Sequence, residues 1–262
     1  MRRTTGEIRG NTGAIPGVLP HPRRLRRVTS SHSTERMSLT FEAPFSAAVL
    51  FADMRGYTGL AERLPPTRVV ALLDEFFAIL ASATAAYGGQ VFYMAGDGMM
   101  AGFRVRDRGR SGAREALAAA HAMFQRFAPV STRWRRELSS VTGIGVGLHL
   151  GAVALGFLGP PGRKAVTLIG DTVNVAARLC SCARAGEVLF SSTIAAALVA
   201  DGAVQHRPTA PMPFLHLPQY QLRGRSDLLD IWCVRRWSGL TLRRPAARAF
   251  KRTRNSGEDL AC

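Results

Sequence analysis

Residues 91–103 read VFYMAGDGMMAGF. Two apolar runs flank Gly96, Asp97 and Gly98, and an Asp-Gly pair between apolar runs is a strong short-range signal for a β-hairpin. An acid at the tip of such a hairpin contributes nothing to packing. Taken alone, a GDG triplet is an ordinary turn whose Asp bonds its own backbone. A second stretch shifts that reading. Residues 47–58, AAVLFADMRGYT, predict an apolar strand ending at Asp53, then a glycine-containing turn into a helix. Two aspartates at the ends of core strands can share a pair of divalent cations, because hard cations take carboxylate oxygens.

The rest of the composition narrows the setting. A chain of 262 residues suits one domain with extensions, or two small ones. Its hydrophobic share of 47% is enough for a sizeable core. The formal net charge of +17 favours anionic partners: nucleotides, nucleic acid or an acidic membrane surface. Cys180, Cys182, Cys233 and Cys262 have no zinc-like spacing and read as reduced thiols of a cytoplasmic protein. No apolar run suggests a membrane span, and the N-terminal arginines precede no apolar stretch of a secretory signal.

The chain divides into residues 1–44, a basic and disordered extension; 45–235, a folded domain; and 236–262, a basic tail. Met37 is an alternative start. Within the domain, Phe45 to Asp53 reads as a strand and Thr58 to Leu64 as a short helix. Pro65-Pro66 breaks that helix, and Thr67 is the expected N-cap of the next one. That helix carries Val69, Leu72, Leu73, Phe76, Phe77 and Leu80 at helical spacing and stops at Gly88-Gly89. Residues 113–138 predict a long helix that Pro129 kinks or splits. Residues 143–150, GIGVGLHL, predict a strand turning at Gly151 into a hairpin partner over 152–157. Its glycines suit close backbone approach beneath a packed helix. Lone His149 reads as a satisfied core residue. Residues 165–169 form another strand, and Asp171 is the expected N-cap of a helix over 172–184. A strand over 187–190 and a helix over 192–199 follow. Residues 202–219 look irregular, and the last strand lies within 220–234. The element order predicts an α+β fold with a βαββαβ core, its helices packed on a mixed or antiparallel sheet.

The runs FADMRGYT, GDGMMAGF, GLHLGAVALGFLG and TLIGDTVNVAARL, in that order, resemble the catalytic domain of class III nucleotide cyclases, the adenylate and guanylate cyclase family. The resemblance covers residues 45 to 234. It implies a ferredoxin-like α+β domain and a head-to-tail homodimer with shared active sites. By position, Asp53 and Asp97 match the family's two metal-binding aspartates, with the Met54 backbone carbonyl as an added ligand. The implied cofactors are two divalent cations, Mn2+ or Mg2+. Tyr57 and Thr58 open the helix that receives the triphosphate, which suits the free N–H groups of a helix start. Asn174 and Arg178, four apart on one helix face, match the Asn that orients the ribose and the Arg that stabilises charge on the α-phosphate. Arg225 matches a basic residue near the terminal phosphates. The implied reaction is in-line attack of the ribose 3′-oxygen on the α-phosphate, with pyrophosphate leaving.

The base-reading positions depart from the family. Tyr93 stands four before Asp97, where adenylate cyclases have Lys and guanylate cyclases Glu. Thr167 stands where many members have Asp, as in a bacterial subgroup of adenylate cyclases. A phenol is bulkier than an ammonium, neutral and stackable. Three readings stay open. The chain is similar to the stand-alone bacterial cyclases of anti-phage signalling, which make cyclic CMP or cyclic UMP. It is alternatively an adenylate cyclase with an altered pocket. Or it is a degenerate cyclase fold that binds a nucleotide or, through its basic tails, nucleic acid. Intact metal and Asn/Arg positions disfavour the last, as does the scarcity of aromatics in the tails.

Overall fold

A computed structural model describes residues 43–104, 111–160, 162–202, 214–222 and 228–235. All belong to the unit Leu39–Cys262. The basic extension, Met37, the C-terminal tail and Arg225 lie outside the described residues.

Strand β1 spans Phe45–Arg55. Helices α1 (Tyr57–Arg63) and α2 (Pro66–Ala86) follow, then the hairpin of β2 (Gln90–Ala95) and β3 (Gly98–Arg104), helix α3 (Ala113–Leu138) and strand β4 (Gly143–Leu158). The sheet order of these four strands is β2-β3-β1-β4, the ferredoxin-like arrangement that a βαββαβ chain predicts. Beyond them come β5 (Ala165–Ile169), α4 (Asp171–Cys182), β6 (Val188–Ser191), α5 (Ser192–Ala200), β7 (Leu215–Gln221) and β8 (Leu228–Val234). They extend the sheet to β2-β3-β1-β4-β6-β8-β7, with β5 paired to β4 off this path. The β4–β6 pair is parallel.

Alternation along β1 sends its side chains to two layers. Ala48, Leu50, Ala52 and Met54 join the main core with α1, α2, α3 and α5. Ala47 and Val49 face the other way, toward Val153, Leu168 of β5 and Ala176 of α4. Asp53 follows that second set, so its carboxylate emerges on the face covered by β5 and α4.

Several expectations change. Helix α2 starts at Pro66 with no side-chain cap, so Thr67 lies inside it. A proline's fixed φ pre-organises the first helical position, which removes the need for the Thr. Helix α2 is also long and apolar enough by composition to cross a bilayer. Here it packs inward through Val69, Leu72, Phe76 and Leu80, the buried stripe of a core helix. Pro129 does not split α3. Phe127 and Trp134, beyond one turn apart around it, pack edge to face at 5.4 Å, and Phe127 meets Phe76 of α2 at 5.3 Å. Their burial offsets the roughly 3 kcal/mol a mid-helix proline costs. Gly151 makes no turn: β4 runs straight through it. Asp171 is the first helical residue of α4, and Gly170 holds the cap position with φ 147°. Residues 215–219, read as irregular, belong to β7, an edge strand whose register shifts between Leu217 and Tyr220. That shift accommodates Pro218, which has no N–H for a ladder. His149 is satisfied as expected, its Nδ1 lying 2.7 Å from Ser191 Oγ.

Candidate active site

The hairpin tip is Gly96-Asp97, with Ala95 paired to Gly98. Gly96, not the Asp-Gly pair, supplies the positive φ, at 58°. Asp53 pairs with Gly98 on one side and Gly145 on the other. The two aspartates therefore meet where β1 and the hairpin end together. The Met54 N–H donates to the Asp97 carbonyl at 3.1 Å, clamping the tip to β1. In an antiparallel strand a residue's N–H and C=O point to the same side. The Met54 carbonyl is thus directed past the end of β3, beside the carboxylates.

The carboxyls of Asp53 and Asp97 lie beside each other. Burial raises Asp53 most, and the charge of Asp97 adds to it. Arg55 opposes both, and the net result is a carboxyl pushed up to about 6. Two hard oxygen donors that repel each other when ionised fit a divalent cation between them. Among the described residues no third His, Cys, Asp or Glu joins them. Such a pair suits Mg2+ or Mn2+, which complete their shells with water and phosphate oxygens.

Helix α1 opens directly after Gly56, φ 87°, with no acidic residue in its first turn and no side-chain cap. Tyr57 packs its ring against the main core. Tyr57 is half-buried, while Thr58 is exposed.

Helix α4 lies on β4 through a glycine stripe. A Cβ on Gly147 would stand 2.1 Å from the Cys180 backbone nitrogen and 2.3 Å from the Ala176 carbonyl. One on Gly151 would stand 2.6 Å from Thr172 Oγ1, and one on Gly143 2.6 Å from Ala185 Cβ. Val175, Ala176, Leu179 and Cys180 face down and are buried. Asn174 and Arg178 fall on the opposite face, the Asn exposed and the Arg half-buried. The N-terminal turn sits over Gly151, and the C-terminal turn over Gly147 and Gly145. Helix and strand rises then place Asn174 about 15 Å along the sheet from Asp53. Asn174 thus lies away from the aspartate pair of its own chain, whereas Arg178 lies two residues before Cys180, whose carbonyl Arg55 links to Asp53.

Tyr93 owes its aim to a β-bulge between Val91 and Tyr93. Val91 packs into the main core, whereas Phe92 packs into the second layer. Simple alternation would send Tyr93 back. The extra residue instead pairs it with Met100 of that second layer, so it shares the face of β5 and α4. Its side chain is 57% exposed. Strand β5 reaches the same place: Leu168 and Phe92 both close over Gly102, within 2.7 and 3.0 Å of where its Cβ would be. Thr167, next to Leu168, pairs with Gly156 and is half-buried.

Arg55 is the residue the sequence reading missed. Its Nη1 donates to Asp53 Oδ2 at 2.6 Å and its Nη2 to the Cys180 carbonyl at 2.6 Å. Cys180 itself is a buried free thiol, pushed up to about 12 chiefly by burial. The signal was the letter after ADM, which in a strand-to-helix turn reads as a solvent-facing cation.

Comparison with known proteins agrees with this architecture. The model of the adenylate and guanylate cyclase catalytic domain matches residues 42–228. An adenylate cyclase from Anabaena cylindrica is 31% identical over 166 residues, 60% of this chain and 31% of that protein. The uncharacterised Mycobacterium tuberculosis protein Rv1319c is 35% identical over 159 residues, 61% of this chain and 28% of that one. The chain thus spans under a third of the length of these relatives. Among solved structures, the adenylyl cyclase CyaB from P. aeruginosa superimposes with a TM-score of 0.66 at 24% identity. It covers 74% of this chain and 94% of its own. The fold is that of a nucleotide cyclase catalytic domain. The chain belongs to the adenylate and guanylate cyclase catalytic domain family.

Proposed function

We propose that this chain converts a nucleoside triphosphate to a 3′,5′-cyclic nucleotide and pyrophosphate, at sites shared between two copies arranged head to tail. One observation carries the reading. Asn174 faces outward about 15 Å along the sheet from Asp53, which supports a ribose-orienting residue contributed by a second copy. Two divalent cations, when bound, would activate the ribose 3′-hydroxyl and offset charge on the triphosphate. Asp53, Asp97 and the Met54 carbonyl hold them. The first turn of α1, at Tyr57 and Thr58, faces the phosphates with free N–H groups. Asn174 orients the ribose. Arg178 donates to α-phosphate oxygens as their charge builds, and Arg225 neutralises the terminal phosphates. Free Cys180, Cys182 and Cys233 suit a cytoplasmic setting.

The substrate proposed is CTP or UTP, giving cyclic CMP or cyclic UMP as an anti-phage second messenger. Support comes from Tyr93: the bulge turns a neutral phenol, rather than a purine-reading Lys or Glu, onto the face covered by β5 and α4. The Anabaena relative's name favours a second reading, an adenylate cyclase with an altered pocket. Purified protein is incubated with Mn2+ and each of ATP, GTP, CTP and UTP, and products are identified by mass. A cyclic pyrimidine whose preference over purines is lost in Tyr93→Ala is the expected result. Cyclic AMP from the wild type would favour the second reading. No cyclic product from folded, dimeric protein would contradict both and leave nucleotide or nucleic-acid binding.

A further inference from the structure

Arg55 sits in a niche built for it. Its guanidinium lies over β4 where residue 145 has no side chain. A Cβ there would stand 2.5 Å from Arg55 Nε and 2.7 Å from Nη2. One arm of the fork takes Asp53 Oδ2 and another takes the Cys180 carbonyl, each at 2.6 Å. That carbonyl belongs to the last turn of α4 and also accepts the Ala183 N–H at 3.0 Å. Carbonyls at a helix end lack helical partners and carry partial negative charge, so a guanidinium there caps the helix. Nε is buried and has no hydrogen-bond partner among the described residues. Among the described residues the cation is thus held by one carboxylate and by the carbonyl and sulfur of Cys180.

We infer that Arg55 is a positioning residue that ties the two half-sites of one chain together, bridging the Asp53 carboxylate to the end of the helix that carries Asn174 and Arg178. This rests on the two-cation reading of Asp53. A divalent cation at Asp53 competes for the oxygen that Arg55 holds and repels the guanidinium. The hold on the last turn of α4 then loosens. In a dimer whose sites are each built from two chains, loading one site is thereby felt by the Asn/Arg pair of the other.

The test uses the full chain and Mn2+ alone, with no nucleotide. Amide hydrogen exchange reads the last turn of α4, and titration calorimetry reads Mn2+ affinity. In the wild type, Mn2+ is expected to speed exchange at Ala183 and its neighbours, and Asp53→Asn is expected to abolish that response. Arg55→Met is expected to exchange fast without metal, to ignore Mn2+ in that turn, and to bind Mn2+ roughly fivefold more tightly, since a competing charge is gone. Arg55→Lys keeps the charge but not the fork. It is expected to exchange fast while binding Mn2+ as the wild type does, and it keeps the test open if the Met variant misfolds. Mn2+ binding with no change in α4 exchange in the wild type would overturn the inference alone. So would wild-type exchange and affinity in both Arg55 variants. Absence of Mn2+ binding by the wild type would overturn it together with the two-cation reading.

Discussion

Asp53 is poised between a proton and a cation. In the metal-free protein its carboxyl holds a proton up to about pH 6, against 3.8 in an unfolded chain. The folded state therefore binds more protons than the unfolded one across that window. Asp53 thus costs stability progressively as the pH rises through it. Asp53→Asn removes this titration. Measured without metal, the melting temperature of the variant relative to wild type is expected to rise between about pH 4 and about pH 7. A difference that stays constant with pH would contradict the assigned environment. The role proposed for Arg178 is of the opposite kind, since the charge it would meet is greatest in the transition state. Arg178→Ala is expected to lower kcat by about 100-fold or more while changing KM less than about threefold. Equal losses in both would point to ground-state binding. The meeting of Asp53 and Asp97 was legible in the sequence because each ends an apolar strand run. Arg55 was not, because its importance comes from Cys180, 125 residues away, and from the missing side chain of Gly145.

At the scale of elements, the glycines of β4 decide where α4 lies. Three of the stripe residues (Gly143, Gly145 and Gly147) have their Cβ positions overlapped by α4 or the chain just after it, or by Arg55. Gly147→Ala puts a methyl onto helix backbone that has nowhere to go, and a cost of roughly 3 kcal/mol is expected in denaturant unfolding. Gly59→Ala is the control. It sits in α1 with nothing within 4 Å of its Cβ position, and a gain of about 0.5 kcal/mol is expected. Similar effects at both positions would contradict the docking described. The same stripe explains one misreading of the sequence. Gly151 looked like a turn because glycine serves turns and close approaches alike, and only the helix above it distinguishes them. The hairpin at 91–103 was readable because its tip needs a positive φ that Gly96 supplies locally. The bulge that aims Tyr93 was not, since it depends on pairing with β3. The edge strand β7 was hidden by Pro218, which an edge strand tolerates at a register shift.

At the scale of the whole molecule, the proposed reaction requires two chains. The four-stranded order β2-β3-β1-β4 brings Asp53 and Asp97 together at one end of the sheet. The extension that follows lays α4 on the sheet with Asn174 and Arg178 on its outward face. The sequence showed both pairs and the order of elements, but not how far Asn174 lies from Asp53, which depends on how α4 lies on β4. The most direct measurement of this claim mixes two inactive variants. Asp97→Ala lacks one half-site and Arg178→Ala the other, and each alone is expected to make almost no cyclic nucleotide. After co-expression, half of randomly formed dimers are mixed, and each mixed dimer has one intact site of two. Recovery to about one quarter of wild-type activity is the predicted result. Activity that stays at the level of the separate variants, in samples shown to contain mixed dimers, would contradict a site shared between chains.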